Sequence, residues 1–178
     1  RIASGSRDCT VHLWEVSHPA SAPRVLQHAH SVDALAVLDG GILASGCGDD
    51  KVYLWDVSSA SDKPMALLEG HTVIVCSLAA LPRGLLASGS VDHTVRVWNV
   101  AARTCVAVLQ GHTMRVEALA ALPDGRLASG GDDKDIRVWD VTGLSTAPPT
   151  FPAATGPPCP ICHLPTLPGA TFSHCIFC

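Results

Sequence analysis

Histidine, serine and aspartate recur along this chain at spacings that do not change. Each histidine precedes a serine by 17 residues, and an aspartate follows that serine four residues later. The three complete sets are His28, Ser45 and Asp49; His71, Ser88 and Asp92; and His112, Ser129 and Asp133. These residue types can exchange protons and activate nucleophiles, and they can equally form buried polar networks. A fixed spacing predicts a rigid module in each repeat.

The four tryptophans extend the same pattern. Each follows its aspartate by six residues, in phrases such as ASGSVDHTVRVWNV, and successive tryptophans are 41, 43 and 41 residues apart: Trp14, Trp55, Trp98 and Trp139. A Gly-His ahead and a Trp-Asp behind, at a period of this length, is the signature of a β-propeller blade. The chain resembles the WD40 repeat family. Its first repeat shows only Ser4, Asp8 and Trp14, because the matching histidine would precede Arg1.

The resemblance implies that each histidine, serine, aspartate and tryptophan set is one buried hydrogen-bonded chain, a structural tetrad. Each member then needs its neighbour, because an unpaired buried polar group costs about 1–3 kcal/mol. A network that recurs in every blade is scaffold rather than a catalytic site. We therefore expect no catalytic role for His28, His71 or His112.

The strand pattern predicts an all-β fold. Short Val-, Leu- and Ile-rich runs alternate with turn residues, in groups of up to four. Predicted strands are 32–38, 41–45, 51–55 and 65–69; then 75–81, 84–88, 94–98 and 105–109; then 116–122, 125–129 and 135–139. With a first blade reduced to three strands, the total is about three and a half blades, whereas propellers close with four to eight and the family most often uses seven.

Four blade segments make up the predicted propeller, at residues 1–27, 28–69, 70–110 and 111–142 of a domain covering 1–142. A proline-rich linker over 143–158 follows, because proline removes the donors that a central strand needs. An incomplete ring that begins without an initiator methionine suggests a fragment of a longer chain. The alternative is a homodimer in which a second copy supplies the missing blades.

The composition excludes several classes of protein. Charged residues are 16% and hydrophobic residues 47%, and no apolar run approaches the length of a membrane span. No basic n-region followed by an apolar h-region is found at the start of this sequence, and a net charge of −4 argues against a nucleic-acid surface. Cysteines at 9, 47, 76 and 105 are scattered, which favours reduced thiols in a cytoplasmic or nuclear protein.

The tail over 159–178 has a second pattern with metal-binding chemistry. Two Cys-x2-Cys pairs, Cys159 with Cys162 and Cys175 with Cys178, are separated by 12 residues, the spacing of a four-cysteine zinc ribbon. The sequence predicts one structural zinc there, with His163 or His174 in reserve. CPIC also resembles the start of a RING domain, although Ala170 and Phe172 replace the Cys-x-His that a RING carries. The alternative is a disordered tail whose cysteines are accidental, or translated sequence past the natural end of the protein.

The resemblance also indicates where partners dock. In WD40 rings they usually bind the top surface, formed by residues three and five after each histidine and by the one before each aspartate. Here the top surface consists of Arg7, Ser31, Asp33, Gly48, Ile74, Cys76, Val91, Arg115, Glu117 and Asp132. An apolar centre beside charged residues is typical of a protein-binding surface.

Two functions are consistent with these patterns. The first is a non-catalytic scaffold that binds other proteins or peptides, since the chain lacks GxSxG, a phosphate loop and HExxH. The second is a component of a ubiquitin ligase, in which the propeller holds the substrate and the cysteine-rich tail recruits the conjugating enzyme. A regulatory region of a larger protein is a further alternative.

Overall fold

A computed structural model describes residues 1–18 and 20–144 of the chain, and its described residues form fourteen β-strands. In chain order the strands are β1 (Ile2–Gly5), β2 (Thr10–Trp14), β3 (Arg24–Gln27), β4 (Val32–Leu38), β5 (Ile42–Cys47), β6 (Val52–Asp56), β7 (Ala66–Leu68), β8 (Val75–Leu81), β9 (Leu85–Ser90), β10 (Val95–Asn99), β11 (Thr104–Leu109), β12 (Val116–Ala121), β13 (Leu127–Gly131) and β14 (Ile136–Trp139). No helix in this part of the chain is long and apolar enough to cross a membrane.

The strands form four antiparallel sheets that resemble propeller blades. The first blade is β1-β2-β3, the second β4-β5-β6-β7, the third β8 to β11, and the fourth β12-β13-β14. Strands that begin the second, third and fourth blades pack against one another, β4 on β8 and β8 on β12, so they form the inner layer. The prediction of an all-β fold with blade-like sheets is confirmed. Each predicted segment from 1 to 142 holds one sheet, whereas residues 145–178, with the cysteine-rich tail, lie outside the described residues.

Several strand ends differ from the predicted ones. β5, β9 and β13 each continue two residues past the tetrad serine, because the glycine after the serine still pairs with its neighbouring strand, as Gly46 does with Val52. β13 begins at Leu127, two residues later than predicted, since Gly125 is in a turn with φ of 86°. A short 3-10 turn over Pro82–Gly84, with Arg83 at φ 62°, precedes β9.

The apolar core lies between successive blades. Alternate residues of each strand point into these seams, as the two-residue period of a strand requires. Val52 and Leu54 of the second blade and Val95 and Val97 of the third are fully buried. In the fourth blade, the residues equivalent to these valines and leucine are Ile136 and Val138, which are 82% and 51% exposed, because no further sheet covers them within the described residues.

A glycine beside each tetrad serine lets neighbouring blades approach closely. A Cβ on Gly46 would lie 2.8 Å from Cγ1 of Val75, and one on Gly89 would lie 2.7 Å from Cγ1 of Val116. Gly5 meets Val32 in the same way, at 2.8 Å. At the fourth blade the nearest atom to a Cβ on Gly130 is 4.0 Å away.

We expect Gly46→Ala to lower the free energy of unfolding by about 1–3 kcal/mol, because the added methyl group overpacks the seam. The matched change Gly130→Ala should alter stability by less than about 0.5 kcal/mol, because that position faces open space. Urea denaturation of the two variants measures the difference. Equal midpoints would show that the seams are not packed as described.

Candidate functional site

The third blade has a complete tetrad. Nδ1 of His71 lies 2.7 Å from Oδ2 of Asp92, and Nε2 of the same ring lies 2.7 Å from Oγ of Ser88. The indole Nε1 of Trp98 donates to the same serine oxygen at 2.7 Å. One hydroxyl therefore joins the loop that carries the histidine, which we call the His loop, to two neighbouring strands.

Burial and hydrogen bonds fix the charges in this tetrad. Burial lowers the pKa of His71, so its ring is neutral at neutral pH. Burial alone would raise the pKa of Asp92, but hydrogen bonds from Thr94 and His71 outweigh it, and the pKa is lowered. The ionised aspartate accepts a hydrogen bond from the N–H at Nδ1. The unprotonated Nε2 then accepts a hydrogen bond from the serine hydroxyl.

The fourth blade repeats the arrangement. Nδ1 of His112 lies 2.8 Å from Oδ2 of Asp133, and Nε2 lies 2.8 Å from Oγ of Ser129. Trp139 donates to that serine at 2.8 Å. The main-chain N–H of Thr113 also donates to the aspartate, and it is the leading cause that lowers the pKa of Asp133 to about 2.

In the second blade the tetrad is incomplete. His28 and Trp55 both bind Ser45, at 2.8 and 2.9 Å. Asp49 instead accepts a hydrogen bond of 2.6 Å from the hydroxyl of Tyr53, and the buried Nδ1 of His28 has no hydrogen-bond partner within the part of the chain that the structure describes. The expectation that Asp49 closes this network on His28 is therefore wrong, because Tyr53 takes the carboxylate.

The first blade contains the half-set that the sequence shows. Trp14 donates to Oγ of Ser4 at 3.1 Å, and Asp8 accepts hydrogen bonds from the amide and hydroxyl of Thr10 at 3.0 and 2.6 Å. No His loop among the described residues covers Trp14, which is 41% exposed, whereas Trp55 and Trp98 are buried. This set is open to solvent.

The top surface is assembled from paired loops. In each of three blades the residue before the aspartate donates its main-chain N–H to the carbonyl of the residue three after the histidine. These pairs are Gly48 with Ser31 at 2.9 Å, Val91 with Ile74 at 3.0 Å, and Asp132 with Arg115 at 3.1 Å. The structure thus brings together the positions that the sequence places on one surface.

The charged part of the top surface centres on one arginine. Nε of Arg115 lies 2.6 Å from Oδ2 of Asp132 and 2.5 Å from Oε1 of Glu117, and all three side chains are largely exposed. Elsewhere on the surface, the hydroxyl of Ser31 donates to Asp33 at 2.9 Å, and Arg7 is exposed. The carboxylates hold the arginine in place at the surface.

The apolar part lies beside it. Ile74 is 37% exposed, next to the half-buried Val91 and Cys76. The structure adds Val73 and Met114, 40% and 49% exposed, which sequence reasoning missed. The signal that would have found them is an apolar residue two positions after the histidine in the third and fourth repeats.

The described cysteines are free thiols without a metal site. Burial raises the pKa of Cys47 to about 11, and burial together with the nearby Glu117 raises the pKa of Cys76. Neither thiol is therefore activated as a nucleophile. Among residues 1–18 and 20–144, no three His, Cys, Asp or Glu side chains form a metal-binding group. The predicted zinc ligands Cys159, Cys162, Cys175 and Cys178 lie outside the described residues.

Comparison with protein families decides what these repeats are. The family described as WD domain, G-beta repeat matches residues 1–15, 23–56, 62–99 and 103–140. The chain belongs to the WD40 repeat family. Members of this family typically serve as protein-interaction modules.

Among solved structures, the WD40 β-propeller domain of Doa1 is similar to this WD40 chain. The two superimpose with a TM-score of 0.71 and 24% sequence identity, over 78% of this chain and 46% of that one. The chain therefore spans about half the length of that propeller structure, and the likeness is one of fold. A comparison with curated proteins gives no match.

Replacing Asp92 with Ala should lower the free energy of unfolding by about 1.5–3 kcal/mol, because it leaves buried donors on His71 and Thr94 unpaired. The control is Asp62→Ala, since this carboxylate is 75% exposed and its contact with Nε of Arg24 is long, at 3.4 Å. Its loss should cost less than about 0.5 kcal/mol. Chemical denaturation compares the unfolding midpoints of the two variants. Equal midpoints would show that the tetrad does not stabilise the fold.

Proposed function

We propose that this WD40 chain is a non-catalytic scaffold that binds a partner protein or peptide through its top surface. The observation that supports it is that the loops of the third and fourth blades expose the apolar side chains of Val73, Ile74 and Met114, while Arg115, next to Met114 in the chain, is paired with two carboxylates. Buried apolar anchors and arginine dominate binding energy in protein interfaces. The surface offers both within neighbouring loops.

The burial of the tetrads supports a role without catalysis. The side chains of His71 and Asp92 are 0% and 8% exposed, and Ser88 is fully buried. Such groups cannot contact a substrate without opening the blade. Their chemistry is used to hold loops, and the residues that vary between repeats stand on those loops.

Partner binding through the top surface should depend on Ile74 and Arg115. The double variant Ile74→Asp, Arg115→Glu should weaken a captured partner about tenfold or more, because hot-spot residues of this kind carry most of an interface's energy. Both side chains stand outside the tetrads, so the unfolding midpoint should hold.

The matched control is Lys63→Glu with Arg103→Glu, since both residues are exposed on outer loops. Affinity chromatography with quantitative mass spectrometry, followed by titration of the recovered partner, compares the two double variants. If only the outer-loop variant lost the partner, the binding site would lie on the outer rim and not on the top surface.

Completion of the ring is part of the proposal. We propose that further blades, from the rest of a parent chain or from a second copy, cover the fourth blade. Support comes from Ile136 and Val138, which are exposed where their counterparts in other blades are buried.

The free thiols among the described residues favour a cytoplasmic or nuclear location.

A second candidate function follows from the spacing of the tail cysteines. We propose that residues 159–178 bind one zinc ion through four thiolates, which would fit a ligase component whose tail recruits a conjugating enzyme. The regulatory region of a larger protein is the other alternative.

Cobalt binding tests the metal proposal. The chain loaded with Co²⁺ should show intense charge-transfer and tetrahedral d–d absorption bands, and Cys175→Ser with Cys178→Ser should abolish them. Bands that are absent, or that persist in this variant, would remove the ligase alternative and leave the scaffold.

A further inference from the structure

Two buried polar atoms in the second blade have no hydrogen-bond partner among residues 1–18 and 20–144. They are Nδ1 of His28 and Oδ1 of Asp49. His28 is only 9% exposed, so water does not readily compensate its ring nitrogen. An unpaired donor and an unpaired acceptor in one tetrad mean that two suitable groups are kept apart.

The complete tetrads show what their pairing would do. In the third blade Asp92 accepts from Nδ1 of His71 and also from the main-chain N–H of Thr72, at 3.2 Å. In the fourth blade Thr113 donates to Asp133 at 2.9 Å. The aspartate thus ties the start of the His loop to the turn across the blade.

In the second blade this tie is missing. The hydroxyl of Tyr53 donates to its aspartate at 2.6 Å, and among the described residues no hydrogen bond joins Asp49 to His28 or to the main-chain N–H of Ala29. The loop over 29–31 stays attached further along, where Gly48 donates to the carbonyl of Ser31 at 2.9 Å. Cys47 also donates to the carbonyl of His30 at 3.4 Å, but the tie between the aspartate and the main-chain N–H after the histidine, which the third and fourth blades both have, is absent.

Tyr53 is the residue that makes the difference. The strand register pairs it with Ser45, as it pairs Arg96 with Ser88 and Arg137 with Ser129. Its ring lies 5.0 Å from that of His28, centroid to centroid, and its hydroxyl donates to Asp49 at 2.6 Å. The third and fourth blades have arginine where the second has this tyrosine.

The glycine before the histidine accounts for the arginines. A Cβ on Gly70 would lie 2.8 Å from a guanidinium nitrogen of Arg96, and one on Gly111 would lie 3.0 Å from that of Arg137. The second repeat has Gln27 in place of this glycine. A side chain there leaves no room for an arginine to lie across the loop.

We propose that Tyr53 is a positioning residue that withdraws Asp49 from His28 and so makes the second His loop the adjustable part of the top surface. Ser31 ends this loop and Asp33 follows it in β4, whereas Ile74 and Arg115 stand on loops that are tied at both ends. The consequence for partners rests on the proposed function. The competition of Tyr53 and His28 for the carboxylate of Asp49 does not rest on that function.

The protonation states are consistent with this arrangement. Burial lowers the pKa of His28, so the ring is neutral and exerts little pull on the carboxylate. Burial and the hydrogen bond to Asp49 raise the pKa of Tyr53, which therefore remains a phenol and keeps donating.

The test is Tyr53→Phe, which removes the hydroxyl and keeps the ring. Asp49 should then bind His28, so the ¹⁵N signal of His28 Nδ1 should move toward that of His71 in the same protein. Amide exchange at 29–31 should slow by about tenfold, as expected when one net hydrogen bond forms. Tyr53→Phe combined with Asp49→Ala is the control and should show neither change.

An unchanged ¹⁵N signal and unchanged exchange in Tyr53→Phe would overturn the proposal, since Asp49 would not have been held by the tyrosine. If that variant does not fold, the wild type decides. Its amide at position 29 should exchange about tenfold or more faster than those of Thr72 and Thr113, and equal rates would overturn the proposal. All readouts come from the free protein, so the loss of partner binding in top-surface variants remains a separate result.

Discussion

A buried serine hydroxyl shared by a histidine and a tryptophan is the interaction on which this structure depends. Ser45, Ser88 and Ser129 are at most 2% exposed, and each accepts an indole N–H while it bonds an imidazole nitrogen. The hydroxyl connects the His loop to two strands of its blade. Removing any member leaves another buried polar group unpaired, which costs more than the contact itself contributes.

Because the tetrads hold the loops from below, the loops are free to differ in chemistry above. The third blade presents Val73 and Ile74 at positions where the fourth presents Met114 and Arg115. The hydrogen-bond pattern beneath is the same in both, from the histidine to the main-chain N–H that follows it. A constant frame with variable loops is an arrangement suited to binding, since specificity changes without loss of the fold.

The sequence was sufficient for the fold because its periodicity reflects packing between equivalent blades. Fixed intervals from His71 to Trp98 predicted a network, and alternating apolar residues predicted the strands. The resemblance to the WD40 family, applied to the histidine and aspartate positions, grouped Ile74 with Val91 and Arg115 with Asp132, and the main-chain hydrogen bonds join each of these pairs.

The sequence spacing could not reveal that Asp49 accepts a hydrogen bond from Tyr53 and not from His28. Tyr53 lies beside the ring of His28 and donates to Asp49, an outcome that depends on side-chain geometry and not on sequence spacing. Strand ends were missed for a similar reason, because Gly46 continues a ladder where glycine usually signals a turn. The exposure of Val73 likewise depends on how the neighbouring loop folds over it.

Hydrogen exchange of the indole N–H groups of Trp14, Trp55 and Trp98 tests the shared-hydroxyl account most directly. Trp55 and Trp98 are 2% and 1% exposed and donate to buried serines, whereas Trp14 is 41% exposed and its serine has no histidine partner among the described residues. The account predicts that the Trp55 and Trp98 signals exchange roughly a hundredfold more slowly than that of Trp14. Exchange of all three at one rate would contradict it.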